Sequence, residues 1–179
     1  MTLTLENEAY FIVAKNGRRE GGHEWGTNPC SEIILRPYQF CNLSSLVVRS
    51  TDTLESLKAK VRIATILGTF QSTLTTFKYL RKVWSNNTAE ERLLGVSLSG
   101  ICDHAWAKWP SSKTAEWLEE LKGTAVATNK KLADNLDIPQ STAITCVKPE
   151  GTVSQLVNSG SGIHARYSEY YIRRVRGDK

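Results

Sequence analysis

No apolar run in this sequence approaches membrane length. The longest, such as Ala143 to Val147, fall far short of the roughly 18 to 20 residues that a spanning helix needs, so the sequence argues against a membrane-embedded role. An excess of one charge sign is also missing: 23 Lys and Arg stand against 18 Asp and Glu, a net +5. Arginines gather only at Arg18-Arg19 and at Arg173, Arg174 and Arg176. Solvated faces account for these at least as well as a nucleic-acid surface, and no nucleic-acid partner is expected. Cysteine is sparse (Cys30, Cys41, Cys102, Cys146), without a CxxC pair, and the three histidines His23, His104 and His164 are scattered. A structural zinc site has little support in that pattern, and no metal is expected. Met1 to Asn7 show neither a basic n-region nor an apolar h-region. No signal peptide is read there, the cysteines are expected as thiols rather than crosslinks, and the cytoplasm is the expected location. What the chain does have is 40% hydrophobic and 23% charged residues over 179 positions, enough to bury a core and long enough for one domain or a lobe of one.

Residues 1–22 read as a short element followed by a loop ending in Gly21-Gly22. From Glu24 to Ser45, Gly26, Asn28, Pro29, Pro37 and Asn42 punctuate the text around a brief apolar run at Ile33 to Leu35, which predicts a long loop carrying a short strand. Loops of that length inside compact domains tend to be functional. Asp52 with Glu55 has the spacing of a capping box, and Leu57, Val61, Ala64, Leu67 and Leu74 recur at helical steps towards Phe77. Thr88 with Glu91 repeats the box, predicting an interrupted apolar helix through Leu93, Leu94, Val96, Leu98 and Ile101 with Gly95 and Gly100 inside it. A further helix is expected from about Thr114 to Leu136, ended by Asp137-Ile138-Pro139. Thr142 to Val147 then reads as a buried strand, feeding the small-residue turn Pro149-Glu150-Gly151-Thr152-Val153-Ser154 and a helix start. Strand, turn and helix start together suit an anion, because free N–H groups and hydroxyls converge there; a purely structural turn has the same pattern. Tyr167 to Arg176 alternates like a half-buried strand or a frayed end.

Chemistry concentrates at Asn28-Pro29-Cys30-Ser31-Glu32. In an extended loop the amide, the thiol and the carboxylate would face one side, and together they could orient a hydroxyl, exchange a hydrogen atom and move a proton. Cys41 lies eleven residues further on, close enough for a fold-back to bring a second thiol to the same place. The residues alone leave a second reading open, in which both cysteines are small buried hydrophobes and Glu32 is a surface charge.

Asn28-Pro29-Cys30-Ser31-Glu32-Ile33, followed by Phe40-Cys41-Asn42-Leu43-Ser44 and by Pro149 to Ser154 in that order, resembles the catalytic subunit of ribonucleotide reductase. The Cys30 to Cys41 interval, His23 to Thr27, Gln155-Leu156-Val157 and Ser161-Gly162-Ile163-His164 resemble the adenosylcobalamin-dependent class II enzymes in particular. The resemblance implies an α/β fold, part of a ten-stranded barrel threaded by a finger loop over residues 23–45, a helical region over 51–136, and a strand with its phosphate turn over 142–165. Residues 1–22 fit least well. It implies that Cys30 becomes the thiyl radical that takes the ribose 3′ hydrogen, that Glu32 takes the 3′-hydroxyl proton, and that Asn28 holds the ribose hydroxyls. Cys41 would be one of two thiols that protonate the departing 2′-hydroxyl and end as a disulfide, and Pro149, Glu150, Gly151, Thr152, Val153 and Ser154 would hold the phosphates. The implied cofactor is adenosylcobalamin, since no ordinary side chain makes the first radical; the implied partners are a ribonucleotide, the rest of the catalytic subunit, and a thioredoxin- or glutaredoxin-like reductant.

The chain departs from the family pattern at Glu150, where Ser is frequent, and a carboxylate there must point away from a bound phosphate. No cysteine precedes Cys30 to act as the family's partner for Cys41; Cys146 can approach the pocket but reads first as packing, as does Cys102. The chain is therefore expected to be a piece of the barrel, inactive alone. A class I relative served by a metal-radical subunit, or a non-catalytic barrel remnant that binds nucleotide or a partner chain, are the alternatives.

Overall fold

The computed structural model describes residues 2–4, 11–13, 26–105, 111–166, 168, 170, 172 and 177. The His23 to Trp25 text and the arginine groups at 18–19 and 173–176 lie outside them, as does most of the alternating segment after Tyr167. At the N-terminal end, β1 (Thr2–Thr4) and β2 (Phe11–Val13) pair antiparallel. A second short hairpin follows, β3 (Gly26–Thr27) against β4 (Ile34–Leu35). The main unit is α/β: β5 (Asn42–Val47) pairs parallel with β6 (Leu94–Ser99), and α1 (Leu54–Gln71) and α2 (Lys82–Glu91) make the crossover between them. A 3₁₀ turn at Ile101–Asp103, α3 (Ser112–Asn135) and the four-residue α4 (Val153–Leu156) complete the order.

The first helix begins one residue later than the Asp52 and Glu55 pattern predicts. Thr53 is the cap: its hydroxyl accepts from the Ser56 N–H while Ser56 Oγ accepts from the Thr53 N–H. Asp52 instead braces the preceding turn, accepting from the Arg49 N–H at 2.7 Å, Ser56 Oγ at 2.7 Å and Lys60 Nζ at 2.6 Å. Burial pushes the Asp52 carboxyl up, but these bonds and the Lys60 charge outweigh it and hold it below the usual carboxylate range. Leu57, Val61, Ala64 and Gly68 fall on one stripe and are buried against the sheet. With Leu46, Val48, Leu94, Val96, Leu121, Ala125 and Ile144 most of them form the core. At 1% exposure Asn129 of α3 donates to Thr69 Oγ1 and Ser141 Oγ and accepts the Ser141 N–H, satisfying its buried amide. The α3 boundaries match expectation, and Asp137 with φ 53° makes the left-handed exit.

Two expected elements differ. Thr88 lies near the end of α2 rather than at the start of a helix, and residues 94–99 are a strand inside what was expected as a helical region over 51–136. Leu94, Val96 and Leu98 recur with period two, and Gly95 removes bulk from one face, so sheet pairing wins over the helical reading. Residues 142–147 do run beside β6, joined by Val96 N–H to Ile144 O, Cys146 N–H to Val96 O and a parallel bridge at Thr145. They are not a buried strand, since Thr145 and Val147 are exposed and the run lies along the edge of the sheet. Among the described residues, no helix is long and apolar enough to cross a membrane.

Candidate active site

The loop around Cys30 is a tight hairpin turn, not an extended segment. Asn28 Oδ1 accepts the Ile33 N–H at 3.0 Å, the Asn28 N–H donates to Ile33 O at 3.1 Å, and Ser31 bends back to the Asn28 carbonyl at 2.9 Å with φ 63°. This breaks the alternation that would have aligned Asn28, Cys30 and Glu32 on one side. Cys30 stands exposed at the tip, and the Glu32 side chain turns inward and is fully buried. The base of the loop is clamped to α2: Arg36 pairs with Glu90 at 3.0 Å and Glu91 at 3.2 Å, and Phe40 packs on Trp84 at 4.7 Å between ring centroids. That clamp delivers Cys41, half-buried, to the start of β5.

Gly95 of β6 is where three segments converge. A Cβ there would lie 2.4 Å from Leu43 Cδ2 of β5, 3.0 Å from Cys146 Sγ and 3.0 Å from Ile33 Cδ1 of the hairpin. Only a glycine lets the hairpin, β5 and the 142–147 edge meet over the sheet face opposite α1. Glu32, Cys41, Cys146, Lys148 and Glu150 share that environment. Burial pushes the Cys41 thiol up, the Glu32 carboxylate adds to the rise, and Lys148 opposes it. Cys146 is pushed up to about 12 by burial first, then by Glu32 and Cys41, with Glu150 adding and Lys148 opposing. Both thiols therefore stay protonated at neutral pH, the form that donates a proton or a hydrogen atom. Among the described residues, Glu32 has no hydrogen bond to either carboxylate oxygen; Lys148 Nζ stands 3.7 Å from Oε1.

The turn after Lys148 is held in place from two sides. The Lys148 N–H donates to Ser97 Oγ at 2.9 Å, tying its start to β6. Arg49 donates to the Asn158 carbonyl at 2.7 Å, and Asp103 accepts the Gly160 N–H at 2.8 Å while pairing with Arg166, so the residues beyond α4 are tied to the sheet. Within the turn, Pro149, Gly151, Thr152 and Val153 are exposed, and Thr152 makes no side-chain cap bond. Ser154 is fully buried and donates its hydroxyl to the Gly151 carbonyl at 2.7 Å, so that hydroxyl is committed to the turn itself. Glu150 is 5% exposed, its Oε1 has no partner among the described residues, and its charge acts on Cys146.

The structure thus gathers Glu32, Cys41 and Glu150 and leaves Cys30 at the exposed hairpin tip. Sequence reasoning missed Lys148 and Ser97 and read Cys146 first as packing. The available signal was a lone lysine entering a small-residue turn directly after a nearly uncharged segment, where a charge must find a partner.

No protein-family model matches the chain. It is 32% identical over 162 residues to a protein of Dictyostelium discoideum named a probable adenosylcobalamin-dependent ribonucleoside-triphosphate reductase, covering 86% of this chain and 20% of that one. Similarity to the adenosylcobalamin-dependent ribonucleoside-triphosphate reductases of Lactobacillus acidophilus and Euglena gracilis is 29% in each case, over 84% of this chain and 23% and 20% of theirs. The chain therefore spans about a fifth to a quarter of the length of these relatives. Its fold matches a crystal structure of B12-dependent class II ribonucleotide reductase with a TM-score of 0.66 at 23% identity, over 79% of this chain and 23% of the other. The α/β architecture is thus of the ribonucleotide reductase type.

Proposed function

We propose that this chain, a relative of one segment of the adenosylcobalamin-dependent ribonucleoside-triphosphate reductases, supplies the reducing centre of such an enzyme and acts in ribonucleotide reduction together with the remainder of the catalytic barrel. The observation that carries the reading is the pairing of an inward-turned Glu32 carboxylate, bare of hydrogen bonds, with the protonated thiols Cys41 and Cys146 on one sheet face. The exposed outer face of α1, with Ile63, Leu67 and Phe70 at 61%, 62% and 49% exposure, supports a further layer of chain over this segment. A ten-stranded barrel whose finger loop, over residues 23–45, carries the 26–35 hairpin is the assembly that these parts suit.

Adenosylcobalamin, when bound, would supply the first radical. The residues present suit that role at one point, the exposed Cys30 sulfur at the hairpin tip, open to hydrogen-atom exchange with a group outside the chain. With its own sulfur-bound hydrogen given up to that outside group, Cys30 takes the 3′ hydrogen of a ribonucleoside triphosphate and returns it to the 3′ carbon once the 2′ carbon is reduced. Glu32 accepts the 3′-hydroxyl proton at a carboxylate oxygen, and Asn28, whose Oδ1 already fixes the turn, has its Nδ2 to donate to a ribose oxygen. Cys41 gives the proton with which the 2′-hydroxyl leaves as water; it and a second thiol lose two electrons and two protons and close a disulfide, which a thioredoxin- or glutaredoxin-like dithiol reopens. The N–H groups of Gly151 to Val153 and the Thr152 hydroxyl face the phosphates, with Pro149 shaping the turn; Glu150 is turned inward and Ser154 supports the turn from within.

Cys30→Ser and Cys41→Ser, each in an enzyme reconstituted from this chain and a complementing barrel segment, separate the roles. Cys30→Ser should abolish 3′-hydrogen exchange, whereas Cys41→Ser should retain exchange and lose deoxyribonucleotide formation. Activity retained by Cys30→Ser, or exchange lost from a folded Cys41→Ser enzyme, would contradict the assignment.

A further inference from the structure

A carboxylate buried without hydrogen bonds is costly to hold, and removing its only counter-ion leaves an uncompensated charge in a water-poor place. Glu32 is in that condition: its side chain is fully buried and neither oxygen is hydrogen-bonded among the described residues. The cation that meets it is Lys148, at 3.7 Å, on a segment that comes from the far side of β6 in the chain order. The lysine is not free to drift, since its backbone N–H is bonded to Ser97 Oγ and its carbonyl lies against Gly162, where a Cβ would approach to 2.5 Å.

We propose that Lys148 is a positioning residue for Glu32: anchored to β6 through its backbone, it serves as the counter-ion that holds the Glu32 carboxylate inward beside Cys41 and Cys146. Its role in turnover rests on the functional reading above; its electrostatic role does not. The charged and titratable groups around the two thiols are Glu32 from the hairpin, Lys148 and Glu150 from the turn, and the thiols themselves. Lys148 is the one cation among them in the described residues. It therefore balances the Glu32 carboxylate, whose charge adds to burial in keeping the thiols protonated. The same ion pair joins the 26–35 hairpin to the start of the 149–154 turn.

The test needs no catalysis. In the full chain, iodoacetamide labelling of each cysteine is followed by mass spectrometry between pH 7 and 10, with exposed Cys30 as internal reference. Lys148→Gln should speed labelling of Cys41 and Cys146 at fixed pH by about three- to tenfold, because a released Glu32 no longer raises the thiols or shields them, a tenfold change being one pH unit of displacement. Lys148→Arg should return labelling most of the way to the parental rate. Unchanged Cys41 and Cys146 profiles in folded Lys148→Gln would overturn the proposal, as would failure of Arg to rescue. Should Lys148→Gln unfold, as circular dichroism would show, the Glu32→Gln/Lys148→Gln pair carries the test. With both charges gone it is expected to fold, and a double variant no more stable than Lys148→Gln alone contradicts the pairing. Because labelling does not depend on turnover, this result stands apart from the fate of the reductase reading, which the Cys30→Ser and Cys41→Ser experiments decide.

Discussion

Gly95→Ala adds one methyl group at the point where the candidate site is assembled, and its cost follows from three distances. The new carbon would stand 2.4 Å from Leu43 Cδ2 and 3.0 Å from both Cys146 Sγ and Ile33 Cδ1, against the roughly 3.5–4.0 Å at which carbon atoms rest. Leu43 would have to retreat by more than an ångström. A leucine tip alone could do so cheaply, but the other two contacts come from the hairpin and from the 142–147 edge, and no single rotation relieves all three. Overpacking of this kind costs about 1–3 kcal/mol; the gain from replacing a strand glycine offsets about 0.5–1 kcal/mol of it. A net loss of about 1–2 kcal/mol is expected, which moves a urea midpoint down by about 0.5–1 M for m-values typical of small proteins. The contrasting substitution is Gly123→Ala within α3, where a Cβ meets nothing within 4 Å; it should raise stability by up to about 1 kcal/mol. Tryptophan fluorescence during urea titration reads both. Gly95→Ala as stable as the parent, or stabilised alongside Gly123→Ala, would refute the convergence of the three segments on that glycine.

Asp52→Asn is expected to lower stability at pH 6 and to lower it less at pH 3. The bonds from Lys60, Arg49 and Ser56 depress the Asp52 carboxyl, so its contribution is full above the unfolded value of about 3.9 and fades as pH falls through the folded value; urea midpoints at the two pH values give the difference, and an equal gap at both would contradict it. Asn129→Leu removes two donated bonds and leaves the buried Ser141 N–H without its acceptor, for an expected loss of about 2–4 kcal/mol; chemical denaturation showing less than a quarter of that would mean the network is replaceable.

Much of the scaffold was legible because it rests on local rules. The α1 stripe of Leu57, Val61 and Ala64 and the exit of α3 at Asp137 follow from periodicity and from turn chemistry. The strand at Leu94–Ser99 was not, because Leu93, Leu94, Val96 and Leu98 satisfy either period, and the choice is made by pairing with β5, fifty residues away in sequence. At the site, the order of three motifs pointed to the relatives that the chain matches over about a fifth to a quarter of their length, whereas the spatial arrangement escaped the sequence. Period-two logic placed Asn28, Cys30 and Glu32 on one side, but Ser31 in the left-handed region reverses the turn between Cys30 and Glu32. Lys148 and Cys146 join Glu32 only through sheet register and the gap at Gly95, long-range facts that spacing along the chain does not contain.

The central claim is that this chain holds the reducing centre of a reductase that a complementary barrel segment completes. Its most direct test is deoxyribonucleotide formation from ribonucleoside triphosphates with adenosylcobalamin and a dithiol, measured for the 179-residue chain alone, for a complementing segment from a relative alone, and for the two together. Product is expected only in the mixture, and none when Cys30→Ser replaces the parent chain. Sustained turnover by the chain alone, or no product from a mixture in which the two parts demonstrably associate, would contradict it.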